Sequence, residues 1–225
     1  MDLSRSELLL GKEGIARLEK ASVCLFGVGG VGSYVAEAIG RSGIGTITLV
    51  DFDTVSPSNI NRQLPATMET LGEKKVEVVA KRLRSINPEA TVVTVDAFCT
   101  PENASQLVPE KCDYVVDAID TVSAKLAIIG ICKERNIPVI SCMGAGNKLD
   151  PTGFRVTDIY KTEGDPLCRV MRHELRKRGI DKLDVVFSAE IPQKTEGKTV
   201  GSLPFVPAAA GLVAAGHVIL KIAEK

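Results

Sequence analysis

Short apolar runs alternate with segments of helical periodicity along the first two thirds of the chain. Five runs are apolar or β-branched and short enough to be buried strands: residues 22–28, 46–50, 91–95, 114–119 and 138–141. Apolar residues recur at helical spacing between them, which predicts helices at residues 31–42, 73–86, 101–108 and 122–135. Strands that alternate with helices in this way predict a parallel, doubly wound sheet.

The pattern changes after residue 145. Apolar runs at 154–157 and 185–188 predict short extra strands, residues 166–178 a basic helix, and residues 193–202 a polar loop. We therefore predict one domain over 1–225, with a core at 1–145 and an extension with a final helix at 146–225. The predicted fold class is α/β, a doubly wound, mostly parallel, Rossmann-like sheet extended by short antiparallel strands in the C-terminal third.

The amino-acid composition argues against several classes of function. The 225 residues carry 28 Lys+Arg and 28 Asp+Glu, so no global field attracts the chain to nucleic acid or to an anionic membrane. Aromatic residues make up 4% and Trp is missing, which argues against a stacking platform for single strands. The uncharged stretch 202–220 is long enough to span a membrane, but its prolines and small residues favour a core helix, and we expect no stable membrane insertion.

Cysteine usage and the N-terminus indicate a reducing, cytoplasmic context. The six cysteines form no CxxC pair, which argues against a zinc ribbon, and a chain of this length needs no disulfides. The N-terminal residues show no basic segment followed by an apolar one, so secretion is not indicated.

A glycine-rich turn is the first sign of chemistry. The segment GVGGVG (residues 27–32) places Gly27, Gly29, Gly30 and Gly32 directly after a strand and at the start of a helix. Such a turn lets the backbone approach a phosphate, which the unpaired N–H groups of the helix then bind. Asp51 ends the second strand, where a carboxylate can accept the ribose hydroxyl protons. Both NAD and ATP fit this arrangement, so an NAD-dependent oxidoreductase or a nucleotide-sensing module stays open at this point.

The residues after Asp51 narrow the choice. Residues 51–63 read DFDTVSPSNINRQ. Together with the glycine turn, this segment resembles the adenylating superfamily of ubiquitin-activating-like enzymes. The resemblance implies ATP over the glycine turn, with a carboxylate substrate that attacks the α-phosphate.

The resemblance also implies individual roles. Gly30 would pack on the nucleotide, Asp51 would bind the ribose, and the phosphates would be bound by Asn59, Arg62 and Lys75. Lys75 agrees with this on physical grounds, because a lysine in the first turn of a helix opposes the macrodipole by about 0.3–1 kcal/mol. Asp53 is assigned to the same nucleotide site, although a structural hydrogen-bond role is equally compatible with its position. Lys74 and Lys75 could alternatively be two solvated lysines.

Two further charged residues complete the implied catalytic set of Arg62, Lys75, Asp120 and Arg5. Asp120 matches the magnesium aspartate of the superfamily, which implies Mg²⁺ beside ATP; its alternative role is to cap the following helix. Arg5 resembles the arginine that this superfamily supplies across a dimer interface, which implies a homodimer. An ordinary surface role for Arg5 is the alternative.

The C-terminal third resembles one branch, the tRNA threonylcarbamoyladenosine dehydratases. The matching segments are 144–146 (GAG), 150–152 (DPT), 156–158 (VTD), 165–167 (DPL), 186–188 (VFS) and Glu190. The resemblance implies that the enzyme adenylates the threonine carboxylate of a modified tRNA adenosine, and that the neighbouring ureido group then expels AMP and closes a ring. The substrate partner would be tRNA that carries threonylcarbamoyladenosine.

The alternative within the superfamily is an adenylyltransferase that activates the C-terminus of a ubiquitin-like sulfur-carrier protein, which would make a sulfur-transfer or carrier protein the partner. Those relatives usually carry paired CxxC motifs, which this chain does not have. Cys168 is the nearest candidate for a catalytic thiol, because Arg169 and Arg172 would favour its thiolate. An inert thiol is the other interpretation of Cys168.

A tRNA partner needs a cationic surface, and residues 161–182 offer a modest one. They hold seven basic residues against four acidic ones: Lys161, Arg169, Arg172, Arg176, Lys177, Arg178 and Lys182 against Glu163, Asp165, Glu174 and Asp181. A solvated helix face explains the same pattern, so the tRNA assignment depends mainly on the resemblance.

Overall fold

The computed structural model describes residues 1–197 and 199–224. Their strands are β1 (Ser22–Phe26), β2 (Thr46–Val50), β3 (Thr91–Val95), β4 (Tyr114–Asp117), β5 (Val139–Cys142), β6 (Arg155–Asp158) and β7 (Asp184–Phe187). They form one sheet in the order β3-β2-β1-β4-β5-β7-β6. All neighbouring pairs are parallel except β6–β7, which is antiparallel. The predicted α/β fold with a sheet extended in the C-terminal third is confirmed.

Helices cover both faces of this sheet. They are α1 (Ser4–Lys20), α2 (Gly32–Arg41), α3 (Lys75–Ile86), α4 (Ala104–Leu107), α5 (Val122–Glu134), α6 (Pro166–Lys177) and α7 (Phe205–Ala223). Helices α1, α2, α3 and α7 share one apolar core with the sheet, and α4, α5 and α6 share a second on the opposite face. Because parallel strands are buried on both faces, they appear in the sequence as continuous apolar runs rather than as alternating ones.

Sequence and structure differ most at helices α1 and α4. Helix α1 is not among the predicted elements, and it is broken at Gly11, where φ is 70° and ψ is 165°. This break interrupts the helical periodicity on which a prediction would depend. Helix α4 has four residues, fewer than the expected helix at 101–108.

Helix α7 is the described helix that is long and apolar enough to cross a membrane, by length and composition alone. In the fold it packs against α1 and α2. Val206, Ala210, Ala214 and Val218 lie in the core, spaced along one side of the helix. Small residues permit this close packing: a Cβ at Gly211 would lie 2.4 Å from the carbonyl oxygen of Val31. The helix therefore takes the core position expected for the uncharged stretch.

The strand order fixes where a ligand can bind. Strands β1 and β4 are neighbours, but the chain reaches β2 and β3 on one side of them and β5 on the other. In open parallel sheets the crevice at the carboxyl ends of such a strand pair is the usual ligand site. The segments that leave this edge include residues 27–32, 51–53, 118–121, 143–147 and 188–190.

Candidate nucleotide site at the carboxyl edge of the sheet

The glycine turn runs tightly beneath the crevice. Gly27 has a φ of 84°, and a Cβ there would lie 2.8 Å from the carbonyl oxygen of Ala118. A Cβ at Gly32 would lie 1.8 Å from the carbonyl oxygen of Gly27, so neither position accepts a side chain. Helix α2 begins at Gly32 and, within the described chain, has no side-chain cap at Val31. The amides of Ser33 and Tyr34 donate to backbone carbonyls, whereas those of Gly29, Gly30 and Gly32 donate no hydrogen bond within the described residues and are available to an anion.

Asp51 is held at the mouth of this turn by the backbone. Its Oδ2 accepts a hydrogen bond from the amide of Val28 at 2.7 Å, and its Oδ1 accepts one from the amide of Asp53 at 2.9 Å. Each carboxylate oxygen keeps a second acceptor site. The geometry suits a carboxylate that binds a pair of hydroxyl groups.

Lys75 is buried and paired, so its interpretation as a solvated lysine is wrong. The residue is 4% exposed, and its Nζ donates to Oδ2 of Asp53 at 2.7 Å. Lys75 is the first residue of α3, where the helix dipole opposes a cation. The Asp53 carboxylate offsets that repulsion and orients the ammonium group. Lys74 precedes the helix and pairs instead with Asp96 on the surface.

Asn59 ends a 3₁₀ turn (Pro57–Asn59), and Arg62 follows it beside the glycine turn. The Cγ of Arg62 is 3.7 Å from the position of a Cβ at Gly30, and Nη1 of Arg62 donates to the Ser58 carbonyl and to Oδ1 of Asn61, each at 2.8 Å. Asn59 is 9% exposed and accepts from the amide of Ser56 at 3.1 Å. The guanidinium is thus fixed on one side and exposed on the other.

Asp120 follows β4 on the same edge and is exposed. Helix α5 begins at Val122 with Thr121 at its N-cap and, in the part of the chain described, no side-chain capping bond. The helix-capping alternative for Asp120 is therefore wrong. An exposed carboxylate beside the glycine turn suits Mg²⁺, which is commonly held by one or two carboxylates together with substrate phosphates. Residues 1–197 and 199–224 hold no group of three or more His, Cys, Asp or Glu placed as a metal site.

The sequence did not predict the buried cluster of Lys125 and Asp117 beneath Asp120. Lys125 is fully buried, and its Nζ lies 3.0 Å from Oδ2 of Asp117. The same Nζ donates to the carbonyl oxygens of Ile119 at 3.0 Å and Cys142 at 2.9 Å. One ammonium group therefore ties the ends of β4 and β5 together and fixes the chain that leads to Asp120. Nothing in the sequence distinguishes Lys125 from the solvated lysines of other helices.

The structure does not bring Arg5 to this site. Leu3, two residues earlier, lies against Gly43 at the amino edge of the sheet: a Cβ at Gly43 would stand 2.6 Å from Leu3 Cδ1. The glycine turn is at the carboxyl edge, about one strand length or ~17 Å away. Arg5 and its neighbours Leu8 (86% exposed) and Leu9 (88% exposed) point away from the core of their own chain.

The segments of the C-terminal resemblance meet in space. Lys148 is 2% exposed, and its Nζ donates to Oδ2 of Asp165 at 2.9 Å and to the Ser188 carbonyl at 3.0 Å. Glu190 accepts from the amides of Leu149 and Asp150, at 2.9 and 3.0 Å. We call Lys148, Asp165, Ser188 and Glu190 the extension cluster. It joins the segment after β5, the start of α6 and the end of β7 on the same edge as the glycine turn.

Residues 199–204, here called the strap, connect the extension to the nucleotide site. Asn147 and Gly201 share two hydrogen bonds. The backbone N–H of Asn147 donates to the Gly201 carbonyl at 2.8 Å, and Oδ1 of Asn147 accepts from the Gly201 backbone N–H at 2.6 Å. One residue on, the Ser202 carbonyl accepts from Nδ2 of Asn61 at 3.0 Å. Since Asn61 also accepts from Arg62, a continuous chain of hydrogen bonds runs from the segment after β5 to the guanidinium.

Cys168 is not an activated thiol. It is fully buried, and burial, followed by the charge of Asp165, raises its pKa to about 12. Arg172 lowers the pKa in the expected direction, but burial and Asp165 outweigh it. All six cysteines are free. The inert interpretation of Cys168 therefore fits the structure.

The basic helix is partly neutralised by its own contacts. Lys177 and Arg178 both bind Glu174, whose pKa they lower to about 2. Arg172 donates to the Thr162 carbonyl at 2.9 Å, and the Arg176 guanidinium lies 5.0 Å from the Tyr160 ring centroid. Three predicted cations keep exposed side chains outside these contacts: Lys161, Arg169 and Lys182.

Phe52 and Phe98 form an aromatic pair beside Asp51 that the low aromatic content did not suggest. Their ring centroids are 4.6 Å apart with an edge-to-face angle of 82°, and the two residues are 51% and 46% exposed. They follow β2 and β3 on the ligand-binding edge. Exposed aromatic surface at that position can cover a planar ring such as a nucleobase.

Comparison with known proteins agrees with this geometry. The ThiF family profile matches residues 3–225. The tRNA threonylcarbamoyladenosine dehydratase of Bacillus subtilis is 44% identical over 97% of this chain and 93% of its own length, and that of Haemophilus influenzae is 42% identical over 95% and 90%. The crystal structure of the Escherichia coli dehydratase TcdA in complex with ATP superposes with a TM-score of 0.92 at 39% identity, over 98% of this chain and 93% of that one. The chain belongs to the ThiF family.

Proposed function

We propose that this protein is an ATP-dependent dehydratase that acts on threonylcarbamoyladenosine in tRNA. The observation that carries the proposal is that the glycine turn, Asp51, Arg62, Lys75 and Asp120 share one edge of the sheet with the extension cluster. The phosphate-binding and the dehydratase-like segments thus border one crevice. The similarity to dehydratases over nearly the full chain supports the same substrate, and we treat residues 1–145 and 146–225 as one adenylating domain.

ATP would bind with its ribose on Asp51 and its phosphates over the glycine turn. Gly30 and Gly29 leave room for the phosphates, and Asn59, Arg62 and Lys75 donate hydrogen bonds to them. The fork of Arg62 suits two phosphoryl oxygens at once. Asp53 acts through Lys75, since its carboxylate holds the ammonium group at 2.7 Å.

The reaction consists of two successive substitution steps that involve the substrate carboxylate. A carboxylate oxygen attacks the α-phosphorus of ATP, and pyrophosphate leaves. The ureido group of the same nucleoside then attacks the activated carbonyl carbon, and AMP leaves with the former carboxylate oxygen. The nucleoside has lost the elements of water in total. Because the second nucleophile belongs to the substrate, its high effective concentration replaces an enzyme nucleophile, which fits a chain whose Cys168 is buried and protonated.

Magnesium fits the donor set around Asp120, an exposed carboxylate next to the phosphate site. When bound, Mg²⁺ neutralises charge on the phosphates. The residues of the chain do the rest: Arg62 and Lys75 hold the phosphates in line, and Lys125 keeps the Asp120 segment in place through the Ile119 and Cys142 carbonyls.

A homodimer in the cytoplasm is part of the proposal. Arg5 lies at the edge of the sheet opposite the glycine turn of its own chain. It can therefore contact only a nucleotide that is bound to a second copy of the chain. The exposed side chains of Leu8 and Leu9 on the same segment offer apolar surface to that copy. The exposed cations Lys161, Arg169 and Lys182 would contact tRNA phosphates, and the affinity for tRNA would then fall as salt rises.

The test is a reaction with ATP, Mg²⁺ and tRNA that carries threonylcarbamoyladenosine. The expected products are AMP, pyrophosphate and a nucleoside lighter by one water. The matched control is the same tRNA without the threonylcarbamoyl group, which should give no AMP. Activity on the C-terminus of a small sulfur-carrier protein, with none on the modified tRNA, would reject the proposal in favour of the alternative within the superfamily.

A further inference from the structure

Gln63 lies over the phosphate-binding turn next to Arg62. Its Nε2 is 3.6 Å from the position of a Cβ at Gly29, just as the Cγ of Arg62 is 3.7 Å from that at Gly30. Two consecutive side chains thus cover two consecutive glycines. The function proposed above uses Arg62 and leaves Gln63 without a role.

The Gln63 amide is buried and incompletely bonded. The residue is 8% exposed, and its Oε1 has no hydrogen-bond partner in residues 1–197 and 199–224. The other such atom in that part of the chain, Nε2 of His217, lies 3.4 Å from a carboxylate oxygen of Asp184. A buried polar atom without a partner destabilises the folded state. An apolar side chain of equal length would avoid that cost.

The backbone holds this amide in place. The backbone N–H of Gln63 donates to the Asn59 carbonyl at 3.0 Å, and the backbone carbonyl of Gln63 accepts from the backbone N–H of Ala66 at 3.0 Å. These two bonds fix the backbone of Gln63 above the glycine turn, so its side chain starts from a fixed position. Below it, the start of α2 has no side-chain cap within the described chain. Nε2 of Gln63 lies beside Gly29, whose own N–H group and that of Gly30 donate no hydrogen bond within the described residues.

We propose that Gln63 is a binding residue of the nucleotide site, whose amide bonds the phosphoryl group that lies nearest Gly29. This inference rests on the proposed function, because it assumes ATP over the glycine turn. The amide nitrogen Nε2 lies beside Gly29 and donates to a phosphoryl oxygen there, whereas Oε1, which can only accept, stays buried. The site keeps the cost of an unmet acceptor because the same amide supplies this donor.

The test compares Gln63→Met with wild type, because methionine keeps the length and removes both polar atoms. Without nucleotide, Q63M should unfold about 2–4 °C higher, since the orphaned acceptor is gone. The Kd for ATP and for AMP should rise about tenfold, and the stabilisation that saturating ATP gives should fall. The control is Gln106→Met on the exposed helix α4, which should change neither quantity.

The variant Gln63→Glu is a second, independent test of the binding role of Gln63. Its added negative charge beside the phosphates should weaken ATP binding more than Q63M does. Wild-type ATP affinity in either variant, or a lower melting temperature for Q63M without nucleotide, would overturn the inference and leave Gln63 a structural residue. A wild-type protein that binds no ATP would instead overturn the proposed function, so the two failures are distinct.

Discussion

The two halves of the ligand-binding edge are built differently. Around the glycine turn, the polar groups that would meet ATP are carried by short segments, and Arg62 and Asp120 keep solvent-exposed faces. In the extension cluster, Lys148 and Asp165 have side chains that are 0% and 1% exposed, and they join three separate segments. The first arrangement leaves donors available for a ligand, whereas the second uses its charges on one another. Substitutions should therefore remove activity in the first half and stability in the second.

The largest expected effect is at Asp165. Asp165→Ala leaves the Lys148 ammonium buried without its counter-charge and removes the bond to the Cys168 amide at 2.9 Å. Loss of one partner of a buried ion pair costs about 3–5 kcal/mol in the free energy of unfolding. Urea denaturation measures it, and the double variant Lys148→Met with Asp165→Asn should recover at least half of the loss. An unchanged midpoint for D165A would show that the two halves do not differ as described.

The converse is expected at Arg62. Arg62→Ala removes a guanidinium that would stabilise charge on the phosphates, so AMP formation should slow by about 10²–10³-fold. Its urea midpoint should stay near wild type, because the bonds it loses, to Ser58 and Asn61, are on the surface. Arg135→Ala is the control for activity after loss of an arginine: Arg135 follows α5 and bonds the Val108 and Ser105 carbonyls, away from the glycine turn. Full activity in R62A would show that Arg62 does not stabilise charge on the phosphates.

A smaller effect tests the strap that connects the two halves. Asn147→Gly loses the acceptor for the Gly201 amide while tolerating the φ of 57°. The lost bond is worth about 0.5–1.5 kcal/mol, or about two- to tenfold. We expect KM for the modified tRNA to rise by that factor while KM for ATP is unchanged. A rise in KM for ATP alone would place the strap on the nucleotide instead.

The smallest effect is expected at Cys168. With a pKa of about 12, the thiol is protonated at neutral pH, and thiolate forms only as the pH approaches that value. Cys168→Ala should therefore keep AMP formation within about twofold of wild type, apart from any loss of stability. Alkylating reagents should label Cys168 in unfolded protein and spare it in folded protein. A large loss of turnover in a folded C168A variant would restore a catalytic role.

The same contrast explains what the sequence could predict. β2 and β3 were predicted with their observed bounds, because each is a short run of β-branched and apolar residues, TITLV and TVVTV. Asp51 was predicted as a site residue because a contiguous motif places it. Lys125, Gln63 and Lys148 were missed, because their roles depend on partners brought together only by the fold. A lysine that pairs within the core and one that faces water have the same sequence signature.

The central claim is that the carboxylate of the tRNA nucleoside attacks the α-phosphorus of ATP over the glycine turn. The most direct measurement uses threonylcarbamoyladenosine tRNA whose threonine carboxylate is labelled with heavy oxygen, followed by mass spectrometry of the products. The account predicts one labelled oxygen in AMP and none in pyrophosphate. Label in inorganic phosphate or pyrophosphate, or AMP without label, would contradict it.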